Sequence, residues 1–146
     1  MAENLNQNID TMRQVLEKAK TIAVVGHSDK DYRTSYQIAA YLRRQGYRVI
    51  PVNPTVESID GDKSYASLRD IDEHIDIVNV FRRSEHVAGV VEDTIAIGAE
   101  TIWTQLGVID HEALNKALQS GINIAVDLCI KVEHARLNIP AKNATG

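Results

Sequence analysis

Five short apolar runs alternate with segments of helical periodicity, and this alternation constrains the fold more than any other feature of the chain. The runs are Ile22-Ala23-Val24-Val25, Tyr47 to Val52, Ile75 to Phe81, Glu100 to Thr104 and Ile122 to Val126. Met12, Val15, Leu16 and Ala19 recur at i, i+3, i+4, i+7 ahead of the first run, which predicts a leading helix. A second helix is expected from about Thr34 to Gln45, packing through Ile38 and Leu42 and ending at Gly46. A third has Ser84 as its N-cap and packs through Val87, Val90, Val91 and Ile95 before Gly98. Asp110 caps a fourth that carries Leu114, Ala117 and Leu118 up to Gly121, and a last one covers about Ile130 to Leu137. Strands that are apolar on both faces and separated by helices form a parallel sheet through right-handed crossovers. The expected fold is therefore α/β and Rossmann-like, a five-stranded parallel sheet in the order 3-2-1-4-5 with helices on both faces. With no linker or repeat to divide them, residues 1–146 read as one domain. Pro51 donates no ladder hydrogen bond, so its strand is expected to be loosely paired there.

Bulk properties narrow the ligand. At 44% hydrophobic and 25% charged residues the chain can bury a core. Its net charge of −4 argues against a general nucleic-acid or anionic-membrane binder, which would need clustered Lys and Arg. Any anion site must then be local. The one cysteine, Cys129, excludes an internal disulfide framework and a Cys-rich zinc site, and fits a reducing compartment. The start MAENLNQNID lacks the basic end and apolar centre of a signal peptide, and no apolar stretch approaches the length of a membrane span. A cytoplasmic protein is expected.

In such sheets ligands lie beyond the carboxyl ends of the strands, where the strand order reverses. The segments just after each run are therefore the ones to inspect. The first is Gly26-His27-Ser28, where a residue without Cβ lets a nucleotide approach and the next helix aims unpaired backbone N–H groups at a phosphate. Thr34 and Ser35 stand where an N-cap hydroxyl would be, and Arg33 just ahead of them is a candidate pyrophosphate ligand. The same segment is also compatible with a plain structural turn. Arg82 and Arg83 beside Phe81 offer adjacent guanidiniums and a ring face; the alternative is that one of them merely pairs with Glu85 on the surface. A nicotinamide site would need G-x-G-x-x-G after the first strand and a carboxylate after the second. The chain has a single glycine at the first position and Asn53-Pro54 at the second, and it lacks a Walker lysine.

Together these segments resemble a family. VVGHS at 24–28, Arg33 to Tyr36, Tyr47 to Pro54, Val78 to Arg83, Trp103 to Gly107 and Asp127 to His134 are similar to the small stand-alone CoA-binding proteins and to the N-terminal domain of the succinyl-CoA synthetase α subunit. The likeness covers roughly residues 12–138. It implies a fold that holds the ADP part of coenzyme A, as CoA or acyl-CoA, at the strand ends. Carried over by position, the phosphate loop falls on Gly26 to Ser28 with Arg33 behind it, and the adenine-side turn on Val52-Asn53-Pro54. Phe81-Arg82-Arg83 and Gln105-Leu106-Gly107 would line the rest. One position departs from the pattern: the synthetases place a lysine shortly after Pro54 for the ribose 3′-phosphate, whereas this chain has Thr55-Val56-Glu57. The preference for CoA over simpler adenine nucleotides is therefore open.

Ligase members of the wider family need a phosphorylatable histidine and further domains for which 146 residues leave no room. Non-catalytic binding, as a carrier or sensor, is the expected function; a CoA-dependent enzyme and an interaction module with a vestigial nucleotide site are the alternatives. His27, His74, His86, His111 and His134 are read as solvated or capping residues, since an imidazole without an orienting partner makes no acid/base system. No His or carboxylate pair shows metal-ligand spacing. Cys129 is either a small buried hydrophobe or, at a strand end, a thiol that could exchange with that of bound CoA. The spacing leaves open whether the chain forms a homo-oligomer or has a protein partner.

Overall fold

Residues apolar on both faces place the five strands of the main sheet between two helical layers. The computed structural model describes residues 2–142. In chain order its elements are α1 (Ile9–Lys18), β1 (Thr21–Val25), α2 (Thr34–Arg44), β2 (Arg48–Val52), β3 (Ser58–Ile59), β4 (Asp62–Lys63), β5 (Ile77–Val80), α3 (Val87–Ile97), β6 (Thr101–Thr104), α4 (His111–Gln119), β7 (Asn123–Ala125) and α5 (Ile130–Arg136). Ile22 and Val24 of β1 point to the layer of α1, α2 and α5, where they meet Leu16, Ile38, Leu42 and Ile130. Ala23 and Val25 point the other way, into a layer built on Val87 and Val91 of α3 and Leu114 and Ala117 of α4. Each fully buried aliphatic side chain contributes about 1.5–3 kcal/mol. A one-residue slip of any strand would exchange the two faces, so the register is set by packing on both sides at once.

The main sheet is parallel throughout and runs β2-β1-β5-β6-β7. The α/β Rossmann-like class, with five parallel strands and helices on both faces, is as the sequence predicts. The order differs from 3-2-1-4-5 in one respect: numbering only these five strands along the chain it is 2-1-3-4-5, because the third pairs with the first rather than flanking the second. Pro51 gives the physical reason. The carbonyl of the next residue, Val52, accepts from Gly26 N across the β1 side. Successive residues of a strand face opposite neighbours, so the proline nitrogen, which has no hydrogen to give, faces the outer edge. A full strand on that edge would lose a ladder bond there. A short bridge closes it instead, with Tyr65 N donating to Pro51 O at 3.0 Å and Asn53 N to Tyr65 O at 2.8 Å.

The consequence is functional. In a 2-1-3-4-5 sheet the order reverses between the first and third strands, so the ligand crevice opens between the tips of β1 and β5. Between β2 and β5 the chain makes the small β3–β4 hairpin, with Asp60 at φ +50° and Gly61 at φ +89° in its turn. Asn8 caps α1 by accepting from Thr11 N, and Asp110 caps α4 by accepting from Ala113 N, both at 3.1 Å. Ser84 does not cap α3 as its position predicts; its hydroxyl accepts from Ile109 N at 2.9 Å and so ties the β5 and β6 loops together.

Candidate functional site

Gly26 ends β1 in the left-handed region, at φ +87°, and turns the chain into the His27–Arg33 loop. A Cβ at this position would stand 2.6 Å from the Phe81 carbonyl oxygen and 3.3 Å from Arg82 Cδ. The sequence expectation that glycine makes room for a nucleotide is thus joined by a second requirement: the chain leaving β5 already crosses there. After the turn, Ser28 N donates to Ser35 Oγ at 3.0 Å, Asn53 Nδ2 donates to the His27 carbonyl at 2.9 Å, and Arg33 N to Lys30 O at 3.0 Å. These bonds fix the loop between α2 and the tip of β2.

Ser35 is consequently spent on the loop rather than on capping the helix. The N-cap of α2 is Arg33, with no side-chain hydrogen bond, and Thr34 is the first helical residue. The first intrahelical bond runs from Gln37 N to Arg33 O, which leaves the N–H groups of Thr34, Ser35 and Tyr36 without an intrahelical acceptor. They lie at the positive end of the α2 dipole. An open cleft of about 440 Å³ lies over this turn, lined by Gly26, Ser28, Lys30, Arg33, Asn53 and Phe81 among others. Beside it a second cleft of about 400 Å³ is lined by Val52, Pro54, Leu68 and Arg82. A larger depression of about 790 Å³ next to α4 has asparagine, glutamate and apolar walls and no lysine or arginine, which suits a polyphosphate poorly.

The predicted residues therefore separate into groups. Gly26, Ser28, Arg33, Thr34, Ser35, Asn53 and Phe81 surround one cleft, and Val52, Pro54 and Arg82 the adjoining one. His27 contributes only its backbone, because its ring is fully buried; His134 is buried too, and its Nδ1 pairs with Tyr41 Oη at 2.8 Å. These two imidazoles are not the solvated groups that the sequence suggests. Burial chiefly, with Arg43 adding to it, holds the His27 ring below the ordinary histidine range despite its bond to the Ser28 carbonyl and the nearby Asp60 and Asp62. The Arg83 side chain is 87% exposed and reaches Glu85 at 3.8 Å, the surface pairing weighed above.

Gln105 turns inward: its Nε2 donates to Asn79 Oδ1, and its Oε1 accepts from Ile130 N at 3.3 Å. Leu106 stays exposed, and Gly107 N donates to Asp127 Oδ1 at 2.6 Å. This segment braces the tips of β6 and β7 and lines neither cleft. Cys129 is half-buried, packed against the apolar layer under α5, at the position preceding that helix. Asp29, Lys30, Tyr32 and Thr55 also line the cleft over Gly26, which the sequence reading does not anticipate; a lysine between Ser28 and Arg33 is the available signal. At the opposite end of the sheet His74, Asp76 and Glu100 bring their ligand atoms within 4.8 Å of one another, a grouping that residue spacing does not reveal because Glu100 comes from the next crossover. Asp76 there accepts from Lys20 N and Thr21 N at 2.8 and 2.9 Å. Among the described residues no helix is long and apolar enough to cross a membrane.

Comparison with known proteins places this geometry in a family. A family model described as a CoA binding domain matches residues 20–135. The chain is 44% identical over 124 residues to the uncharacterized protein YneT of Bacillus subtilis, covering 85% of this chain and 92% of that one. A solved structure of a hypothetical protein from Pyrococcus horikoshii superposes with a TM-score of 0.86 at 36% identity, covering 88% of this chain and 91% of that one. An acetate–CoA ligase (ADP-forming) from Methanocaldococcus jannaschii is 23% identical over 130 residues, which cover 84% of this chain and 18% of the ligase. The chain belongs to the CoA-binding domain family.

Proposed function

We propose that this protein binds coenzyme A, free or acylated, through its ADP moiety at the tips of β1, β2 and β5, without catalysis, as a carrier or sensor in a reducing cytoplasm. The observation that carries the reading is the convergence of Gly26, Ser28, Lys30, Arg33 and the first turn of α2 on one cleft, at the point where the strand order reverses, in a member of this family. Backbone N–H groups and the Arg33 and Lys30 cations suit a diphosphate. Asn53-Pro54 and the apolar wall of Val52 and Leu68 suit the nucleoside, with Arg82 on the wall of the second cleft and its Cδ beside Gly26. The cleft wall carries Arg33 and Lys30 together with Asp29, 3.9 Å from the Lys30 ammonium, and this small local excess of positive charge on a chain of net charge −4 favours a small anion over an extended polyanion.

The ligase relative assigns no reaction to this chain, since the match spans 18% of it. Asn53 Oδ1 accepts from both Thr55 N and Thr55 Oγ1, an Asx turn with no cation in the stretch where the synthetases carry lysine. CoA and dephospho-CoA are therefore expected to bind about equally. Calorimetric titration of ligand-free protein with CoA tests the proposal: saturable 1:1 binding without acyl-CoA turnover supports it, turnover would make the protein an enzyme, and no binding would leave a vestigial site.

A further inference from the structure

The most deeply buried polar group beside the cleft is the imidazole of His27, and its two nitrogens have different partners. Nδ1 faces the Ser28 carbonyl at 2.8 Å, which can only accept, so the proton sits there. Nε2 is left as an acceptor for Arg43 Nη1 at 3.2 Å. Arg43 lies in the last turn of α2, and its Nε is 3.4 Å from Asp62 Oδ2 on the hairpin. One guanidinium thus connects the β3–β4 hairpin, the far end of α2 and the ring under the phosphate-side loop. Its Nη2 is buried without a hydrogen-bond partner, a cost that an aliphatic residue filling the same space would avoid. Packing alone does not account for a cation here.

We propose that Arg43 is a positioning residue: by bonding to His27 Nε2 it fixes the neutral Nδ1–H tautomer, which holds the Ser28 carbonyl and so the backbone that meets the diphosphate. Arg43 lines neither cleft. This inference rests on the CoA reading for its ligand but not for its geometry. The groups facing the His27 ring are Arg43 and Tyr36 from α2, the latter edge-on at 6.0 Å between ring centroids, and Asp60 and Asp62 from the hairpin. Asp60 is itself bonded to the Tyr36 hydroxyl. Removing the guanidinium takes away a like charge and releases Asp62 toward the ring, and both changes favour a protonated His27.

The test follows the His27 ring and the Ser28 amide by NMR in the ligand-free protein from about pH 8 to about pH 5, and CoA affinity by calorimetry, in wild type, Arg43→Met and Arg43→Lys. Arg43→Met is expected to move the His27 titration to higher pH, speed exchange of the Ser28 amide and weaken CoA by about tenfold. Arg43→Lys keeps the charge but not the fork, so it should restore the titration more than the affinity. Should Arg43→Met fail to fold, Asp62→Asn, at an exposed partner, loosens Arg43 instead: it is expected to speed Ser28 exchange and weaken CoA by a smaller factor, while moving the His27 titration to lower pH because a carboxylate facing the ring is lost. An Arg43→Met protein that binds CoA within about twofold of wild type overturns the proposal. If wild type itself binds no CoA, the functional reading falls; the positioning role is then decided by the ligand-free signals, and unchanged Ser28 exchange and His27 titration overturn it.

Discussion

Gly26 and the Phe81 carbonyl oxygen approach so closely that a Cβ on residue 26 would stand 2.6 Å from that oxygen. The contact ties the ends of β1 and β5 together where the strand order reverses, and the positive φ of Gly26 adds a second reason for glycine. Gly26→Ala must therefore displace the chain at Phe81 and strain its own backbone. A loss of roughly 2–4 kcal/mol is expected, with a melting temperature lower by roughly 10 °C. A thermal melt within experimental error of wild type would show that the tips of β1 and β5 can separate freely.

Arg82 and Arg83 look equivalent in the sequence and are not equivalent in the fold. Arg82 is half-buried against Gly26 and lines a cleft, whereas Arg83 projects into solvent toward Glu85. Arg82→Ala is expected to weaken CoA binding by about tenfold or more, as for loss of a charge-assisted phosphate contact. Arg83→Ala should cost less than about threefold, the scale of an exposed ion pair. Both effects should grow at low salt. Calorimetry on the two variants checks the ranking, and a larger effect at Arg83 would move the site toward β6.

Asp76 secures the opposite end of the sheet. Burial alone would raise its carboxyl, but the Thr21 and Lys20 N–H bonds, with Glu100 and His74 nearby, hold it below the usual aspartate range. A depressed carboxyl stabilises the fold above its unfolded pKa of about 3.9 and loses that contribution as pH falls through the lower folded value. Asp76→Ala leaves two N–H groups without their acceptor and should cost about 1 kcal/mol at neutral pH, a figure kept low because the site is partly solvated. Urea unfolding at neutral pH and below about pH 4 tests this: the gap between variant and wild type should narrow in acid.

Cys129 ends the loop between β7 and α5, at the position just before that helix, and is half-buried. Incubation with CoA disulfide should form one mixed disulfide: the Cys129 thiolate attacks one sulfur, the CoA–CoA bond breaks, and one CoA leaves as its thiolate. Intact mass is expected to rise by one CoA moiety, and Cys129→Ser should abolish the rise. An absent adduct, or one that survives the substitution, would leave Cys129 as a packing residue.

The parts of the fold governed by periodicity were legible in the sequence. Ile22 to Val25, Val87 to Ile95 and Leu114 to Leu118 carry their partners' positions in their own spacing, and Pro51 carried the edge of the sheet as well, though its bearing on strand order emerges only with Tyr65 in place. The β3–β4 hairpin was not legible, because two-residue strands show no alternation to read. Side-chain direction was the other gap. Gln105 and His27 sit at strand ends, as ligand contacts do, yet both turn inward to bond Asn79 and Arg43, partners 26 and 16 residues away. Ser35 and Ser84 show the same limit, each hydroxyl being taken by a loop amide rather than by its own helix.

The central claim is that the ADP part of coenzyme A lies across the tips of β1, β2 and β5, and a crystal structure of the protein with CoA bound tests it most directly. The account predicts diphosphate density over Gly26 to Ser28 and the first turn of α2, within reach of Arg33 and Arg82. Cofactor seated beside α4, or at the Asp76 end of the sheet with the β1 and β5 tips empty, would contradict it.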